Sequence, residues 1–357
     1  VKILASHDGG SGCAWYRMIM PLQAVHDLSG GEVTVTFRAG GGKLMKDPHP
    51  MVKVADADEV DVVVSQRASS YEGLGLWRRW GSSPYRRTVY ENDDDVFSIT
   101  RENTDAYYAY AEGTTVREAT LRYCRTANLV TTTTPHLADR FREMLENRVP
   151  VEAIPNYIPA WVLDLPRDPP DRRLRIGYAG GSSHRRDIHT AIPSVRRFMQ
   201  RFPDWDLYIN GVDYRDKFRC PPERSFHIPW IHVTDEPRVY YRAVDFDIGI
   251  CPLLSTQFSR SKSWVKALEY FARGTPVVAS DVEPYRRFID HGVNGFLART
   301  DHEWLKYLSL LADDDDLRRK MGEAGKEKAR DNTIEGHYLE WVRAYTMLFP
   351  YGWEYKG

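Results

Sequence analysis

The chain has 357 residues, 42% hydrophobic and 28% charged, with a formal net charge of −1. That composition fits two globular domains and argues against disorder, and the near-zero charge removes any global attraction to nucleic acid or anionic membrane. A polyanion contact would need a local patch.

No apolar run reaches the ~18–20 residues of a membrane span. The opening Val1-Lys2-Ile3-Leu4-Ala5 is too short for a signal peptide, and the absence of an initiator Met reads as trimming or processing. Cys13, Cys124, Cys220 and Cys251 are scattered, with neither Cys-x-x-Cys nor zinc-ligand spacing. They read as four buried thiols of a reducing cytoplasm.

The first strand, residues 2–6, leads into His7-Asp8-Gly9-Gly10-Ser11-Gly12 and a helix over 14–28. Strand, glycine loop, helix is the plan of a Rossmann-type half. Gly10 and Gly12 would let a ligand approach the backbone, and Arg17 either meets an anion there or serves the structure. The spacing is not G-x-G-x-x-G and no acidic residue ends the next strand, 33–37, so the dinucleotide signal is weak.

Strands are predicted at 61–65, 87–91, 129–132 and 152–154, with helices over 105–123 and 135–145. Alternation of this kind argues for a mostly parallel sheet. At the end of the 87–91 strand, Glu91-Asn92-Asp93-Asp94-Asp95 places Asp93, Asp94 and Asp95 together. Such carboxylates can bind a cation, serve sugar hydroxyls as base or orienter, or cap a helix. In residues 77–87, Arg78, Arg79, Arg86 and Arg87 interleave with Trp77, Trp80 and Tyr85. This basic-aromatic patch suits a phosphate backbone with stacked bases, an anionic glycan or a lipid headgroup; it is equally a helix and loop with cation–π packing.

Prolines 155, 159, 166, 169 and 170 mark an exposed connector. The boundaries expected are an N-terminal domain 1–160, a linker 161–172, a second domain 173–335 and a final segment 336–357. The second series opens with a strand at 174–178, then Ala179-Gly180-Gly181-Ser182-Ser183-His184-Arg185-Arg186-Asp187 and a helix over 188–201. A glycine turn at a helix start, with Arg185 and Arg186 beside it, favours a phosphate. Strands follow at 206–209, 226–228, 248–251 and 276–279, with helices over 238–244, 302–311 and 335–348. The acidic run 313–316 reads as the N-terminal charge of a further helix.

Residues 261–280, SKSWVKALEYFARGTPVVAS, predict an amphipathic helix, a stop at Gly274 and a buried strand. Lys262 and Lys266 fall one turn apart, with Glu269 beyond them. They either bind a ligand at the sheet edge or form a solvated face.

Several of these stretches resemble a known family. They are Asp247-Ile248-Gly249-Ile250-Cys251-Pro252-Leu253, Lys262-Ser263-x-x-Lys266-x-x-Glu269-Tyr270, Gly274-Thr275-Pro276-Val277-Val278-Ala279-Ser280 and Gly292-x-Asn294-Gly295-Phe296, with Pro155-Asn156 upstream. Together they are similar to the GT-B glycosyltransferases, in particular the retaining group 1 enzymes (family 4). The resemblance implies an α/β fold of two Rossmann-like domains facing across a cleft, with the C-terminal helix crossing back to the N-terminal domain. It implies a metal-independent enzyme with no required cofactor, moving a sugar from a nucleotide-diphosphate sugar to a hydroxyl of a glycan, lipid-linked sugar or protein. Compartment follows as cytoplasmic or membrane-peripheral.

Carried over by motif, Glu269 holds the nucleotide ribose, and Gly180, Gly181 and Arg186 surround the diphosphate, with Arg185, Lys262 and Lys266 as further donor ligands. Asp93, Asp94 and Asp95 take the catalytic, acceptor-orienting place; Gly10, Gly12, Arg17, Arg78 and Arg79 fall on the acceptor side. The family's Glu, seven residues, Glu pattern has Ser261 at its first position. Alternative readings are a viral-type transferase acting on a hydroxymethylated base in DNA, a sugar-nucleotide epimerase, and a non-catalytic sugar-nucleotide binding protein.

Overall fold

The computed structural model describes residues 1–7, 11–39, 60–101, 104–169 and 171–349. The chain forms two compact units. The first comprises 1–156, 261–263 and 334–357, and the second 157–260 and 264–333.

Unit 1 is built on six parallel strands: β1 Lys2–His7, β2 Thr34–Ala39, β3 Val62–Gln66, β4 Arg87–Glu91, β5 Leu129–Thr132 and β6 Val151–Ala153. Their order is β2-β1-β3-β4-β5-β6. The chain steps outward from β1 to β2 and then returns to the other side of β1, so the direction reverses between β1 and β3. The Val62-Val63-Val64 run of β3 is buried on both faces, which is why it is apolar without alternation.

Residues 12–28 are one helical passage with a π-helical segment, Trp15–Ile19, in its first turns. Ser11 caps it by accepting from Ala14 N–H at 3.1 Å. The single helix predicted over 105–123 is two, Thr104–Ala109 and Thr115–Thr126; Thr114 starts the second by accepting from Arg117 N–H. A local capping bond there outcompetes continuation.

The last helix, Ile334–Thr346, belongs to unit 1, where Trp341 and Tyr345 are buried. Trp341 lies 5.5 Å from the Arg17 guanidinium, and Tyr338 donates to the Leu28 carbonyl at 3.4 Å.

Unit 2 carries a second parallel sheet of β7 Leu174–Gly180, β8 Trp205–Gly211, β9 Ser225–Ile228, β10 Ile248–Cys251, β11 Val277–Ser280 and β12 Gly295–Ala298. The order β12-β11-β10-β7-β8-β9 places the reversal between β7 and β10. Open α/β sheets bind ligands at the carboxyl ends of the strands flanking such a reversal.

Gly274 adopts φ +68° after the helix Val265–Ala272, and so ends it in the left-handed region. The acidic run acts as expected: Asp314 caps the helix Asp315–Arg330 by accepting from Leu317 N–H at 2.8 Å. Within the stretch read as a connector, Val162 and Leu165 are buried and Arg167 pairs with Asp245 at 2.8 Å, so residues 157–169 fold as part of unit 2.

Candidate functional site

In unit 2, β7 ends at Ala179-Gly180, and the 3-10 turn Ser182–His184 follows Gly181. Gly180 is required by packing: a Cβ there would stand 2.3 Å from the Tyr178 hydroxyl. Tyr178 itself is buried, and its hydroxyl finds no hydrogen-bond partner among the described residues. An orphaned buried hydroxyl beside a glycine turn marks a polar position that a ligand can satisfy.

The helix Val265–Ala272 enters the same edge. Tyr270 Oη accepts the Ala179 N–H at 2.9 Å, and Lys266 Nζ donates to the Ala179 carbonyl and lies 5.1 Å from the Tyr178 ring. Glu269 is three residues on, 3% exposed, and its Oε1 accepts from Tyr240 Oη at 2.9 Å. Burial first, then the carboxylate beside it, pushes the Tyr240 phenol well above its ordinary value, so Tyr240 remains the donor. Gly180, Gly181, Lys266 and Glu269 are thus gathered at one sheet edge, with Arg185 and Arg186 exposed on the turn that follows. An ammonium, two guanidiniums and loop amides can neutralise a diphosphate, and a buried carboxylate can accept from ribose hydroxyls.

Lys262 is held within unit 1. It precedes the helix rather than lying on it, clusters with unit 1, and pairs with Asp94 at 2.9 Å. The expected face shared by Lys262 and Lys266 therefore does not form, because the helix begins only after Trp264.

Also in unit 1, Arg67 pairs with Asp93 at 2.5 Å and Asp94 at 3.0 Å, while the buried Asp95 faces Arg140 at 3.5 Å. The three carboxylates splay to different cations, and Asp95, at the N-cap of the short turn Val96–Ser98, makes no capping bond. Among the described residues, no group of three His, Cys, Asp or Glu side chains converges as a metal site.

Arg17 meets no anion from solution. It is 0% exposed and its guanidinium is spent on Glu91 (2.8 and 3.1 Å), the carbonyls of Ile154 and Thr132, and Asn156 Oδ1. The basic-aromatic patch is also reassigned. Trp77 and Trp80 are core residues on the helix Tyr71–Gly81, and Arg87 is held by the Leu348 carbonyl. Arg78 and Arg79 remain exposed on that helix without those aromatics beside them. Gly12 opens the helical passage of 12–28 with open space around its Cβ position, and Gly10 lies outside the described residues. Of the four thiols, Cys124 and Cys251 are buried but Cys13 and Cys220 are half-exposed.

Sequence reading missed Arg67, Tyr240 and the pairing of Tyr270 with Ala179. Their partners lie 26, 29 and 91 residues away, so no local pattern marks them.

Residues 166–328 match the family model of the glycosyl transferases group 1. Over 163 residues the chain is 32% identical to the D-inositol 3-phosphate glycosyltransferase of Corynebacterium glutamicum (strain R); the match covers 45% of this chain and 32% of that protein, about a third of its length. Among solved structures, the sucrose-phosphate synthase of Thermosynechococcus elongatus superposes with a TM-score of 0.64 at 16% identity, covering 98% of this chain and 100% of its own. Anabaena HepE in complex with UDP and glucose superposes with a TM-score of 0.66 at 14% identity, covering 97% and 99%. Residues 166–328 thus resemble the group 1 glycosyl transferases, within a fold shared with these solved structures over nearly all of the chain.

Proposed function

We propose that the protein transfers a sugar from a nucleotide-diphosphate sugar to a hydroxyl acceptor, with retention of anomeric configuration and without a required metal. The observation that carries the reading is the edge at the β7–β10 reversal, where Gly180 and Lys266 stand beside Tyr178, whose hydroxyl is unsatisfied, with Glu269 one turn along the helix of Lys266. Support comes from HepE, a structural neighbour that holds UDP and glucose, and from the Corynebacterium relative, which is named for a hydroxylated acceptor.

In this reading Glu269 accepts from the ribose, while Lys266, Arg185, Arg186 and the turn amides hold the diphosphate. Cleavage of the anomeric bond builds positive charge on the sugar and negative charge on the leaving phosphate; fixed cations and amides stabilise the second without reorganising. For retention, the acceptor hydroxyl attacks from the face that the leaving group vacates, and the leaving phosphate takes its proton. Asp93 and Asp94, set by Arg67 and Lys262, orient the acceptor. The acceptor class is a glycan, a lipid-linked sugar or a protein. The DNA-base alternative loses its basis with Trp77 and Trp80 in the core.

A thermal-shift screen of UDP-, GDP-, ADP- and dTDP-glucose tests the reading, because a ligand that binds only the folded state raises the midpoint. One of the four is expected to do so and to be slowly hydrolysed. No shift from any of them, and no hydrolysis, would sink the proposal.

A further inference from the structure

Trp230 is 50% exposed, although one edge of its six-membered ring rests on Gly181, just past β7, and on Gly211, the last residue of β8. A Cβ at Gly181 would stand 3.2 Å from its Cζ3, and one at Gly211 would stand 3.1 Å from its Cε3. Gly211 also sits at φ +99°, where a Cβ would meet the Gly180 carbonyl oxygen at 2.5 Å, so only glycine fits. The backbone against the ring is pinned. Val212 N–H donates to the Gly180 carbonyl at 3.1 Å, Tyr214 Oη donates to the Gly181 carbonyl at 3.2 Å, and His227 Nε2 meets the Gly211 carbonyl at 2.9 Å.

An indole left half in water forgoes stabilisation that a core tryptophan supplies. This one stands on the glycine turn assigned to the diphosphate. It lies in the connection 229–236, between β9 and the helix Pro237–Ala243, and that helix carries Tyr240, which donates to Glu269. One short connection thus joins the indole to the phenol that orients the ribose carboxylate.

We propose that Trp230 is the stacking platform for the nucleobase of the nucleotide-sugar. The inference rests on the reading of this edge as a nucleotide-sugar site. A nucleotide held by its diphosphate on Gly180-Gly181 and by its ribose on Glu269 has one planar aromatic part still to be placed, the base. The transferred sugar also has an apolar C–H face, but it hangs from the far end of the diphosphate, whereas the connection that carries Trp230 leads to the ribose side. Every base has a π-face, so the indole supplies affinity and leaves the choice among bases to hydrogen bonds.

The test is calorimetric titration of wild type, Trp230→Ala and Trp230→Phe, with tryptophan fluorescence followed in parallel. The ligands are whichever of UDP-, GDP-, ADP- or dTDP-glucose stabilises the protein, and the matching sugar-free nucleoside diphosphate. Trp230→Ala is expected to lose roughly 5- to 150-fold in affinity for both, the size of one base–aromatic stack, and Trp230→Phe to retain most of it. Binding should quench wild-type fluorescence, and the quench should shrink in Trp230→Phe, which keeps a ring but lacks the indole; this readout stands even if Trp230→Ala does not fold. Undiminished binding by Trp230→Ala, a loss confined to the sugar-bearing ligand, or an equal quench in wild type and Trp230→Phe overturns the inference and leaves the donor site standing. If none of the four compounds binds wild type, the proposed function falls and this inference with it.

Discussion

Tyr240 Oη donates to Glu269 Oε1 at 2.9 Å, so the carboxylate assigned to the ribose is oriented by a phenol from a neighbouring helix, Pro237–Ala243. Hydrogen bonds to a charged group contribute about 1.5–3 kcal/mol each. Glu269→Ala should therefore weaken nucleotide binding by roughly 10- to 100-fold. Tyr240→Phe, which leaves the carboxylate in place but loosely held, should cost less. Calorimetry of both variants checks this; an unchanged affinity in Glu269→Ala would remove Glu269 from the site.

Arg17 and Glu91 form a buried bidentate pair beneath Trp341. Burial raises the Glu91 carboxyl against the pull of Arg17. Removing one partner of such a pair costs about 3–5 kcal/mol. Arg17→Met should lower the urea midpoint accordingly while the folded fraction keeps its nucleotide affinity. Lost affinity with unchanged stability would return Arg17 to the ligand.

The Lys262–Asp94 pair predicts an alkaline limit. Burial opposes the Lys262 ammonium, but attraction to Asp94 and the hydrogen bond it donates to that carboxylate outweigh it and hold its pKa above the ordinary value. The folded chain then holds that proton more tightly than the unfolded one. The stabilisation is complete below about pH 10.4, the unfolded value, and is lost as pH rises through the raised folded value. Urea midpoints at pH 8 and pH 11 should fall further in wild type than in Asp94→Asn, which has already lost the pair. Equal losses would show that Lys262 titrates as if exposed.

The cysteines should divide into two classes. Burial raises the thiols of Cys124 and Cys251 far above the ordinary range, so little reactive thiolate forms. Native protein exposed to a thiol reagent at pH 7.5 should label Cys13 and Cys220, and unfolded protein all four. Rapid native labelling of Cys251 would mean that β10 is not closed over.

Much of the fold is legible in the sequence. β4, β5 and β10 were read to the residue, because short runs of β-branched and aromatic residues between turn signals admit few registers. The Gly180-Gly181 turn, Glu269 and Lys266 were visible as local chemistry on a helix or after a strand. Errors came where a residue's partner is distant. Arg17 could be read as an anion ligand or as structural, because nothing near it in sequence announces Glu91, 74 residues on. Trp77 and Trp80 read as part of a basic-aromatic patch because helical spacing does not say which face is buried when two arginines stand between the aromatics.

By itself, then, the sequence determined the alternation of strands and helices, the glycine turns and the family motifs, all set by short-range backbone and side-chain preferences. Tertiary structure alone decided which charges meet. Lys262 went to Asp94 and Lys266 to Ala179, though only three residues stand between the two lysines. Glu269 acquired Tyr240, and Asp187 came to bridge His184 and Leu254. The reason is physical: a buried ion or hydroxyl is tolerated only where a partner satisfies it, and in a parallel sheet those partners arrive from strands and helices far apart in the chain.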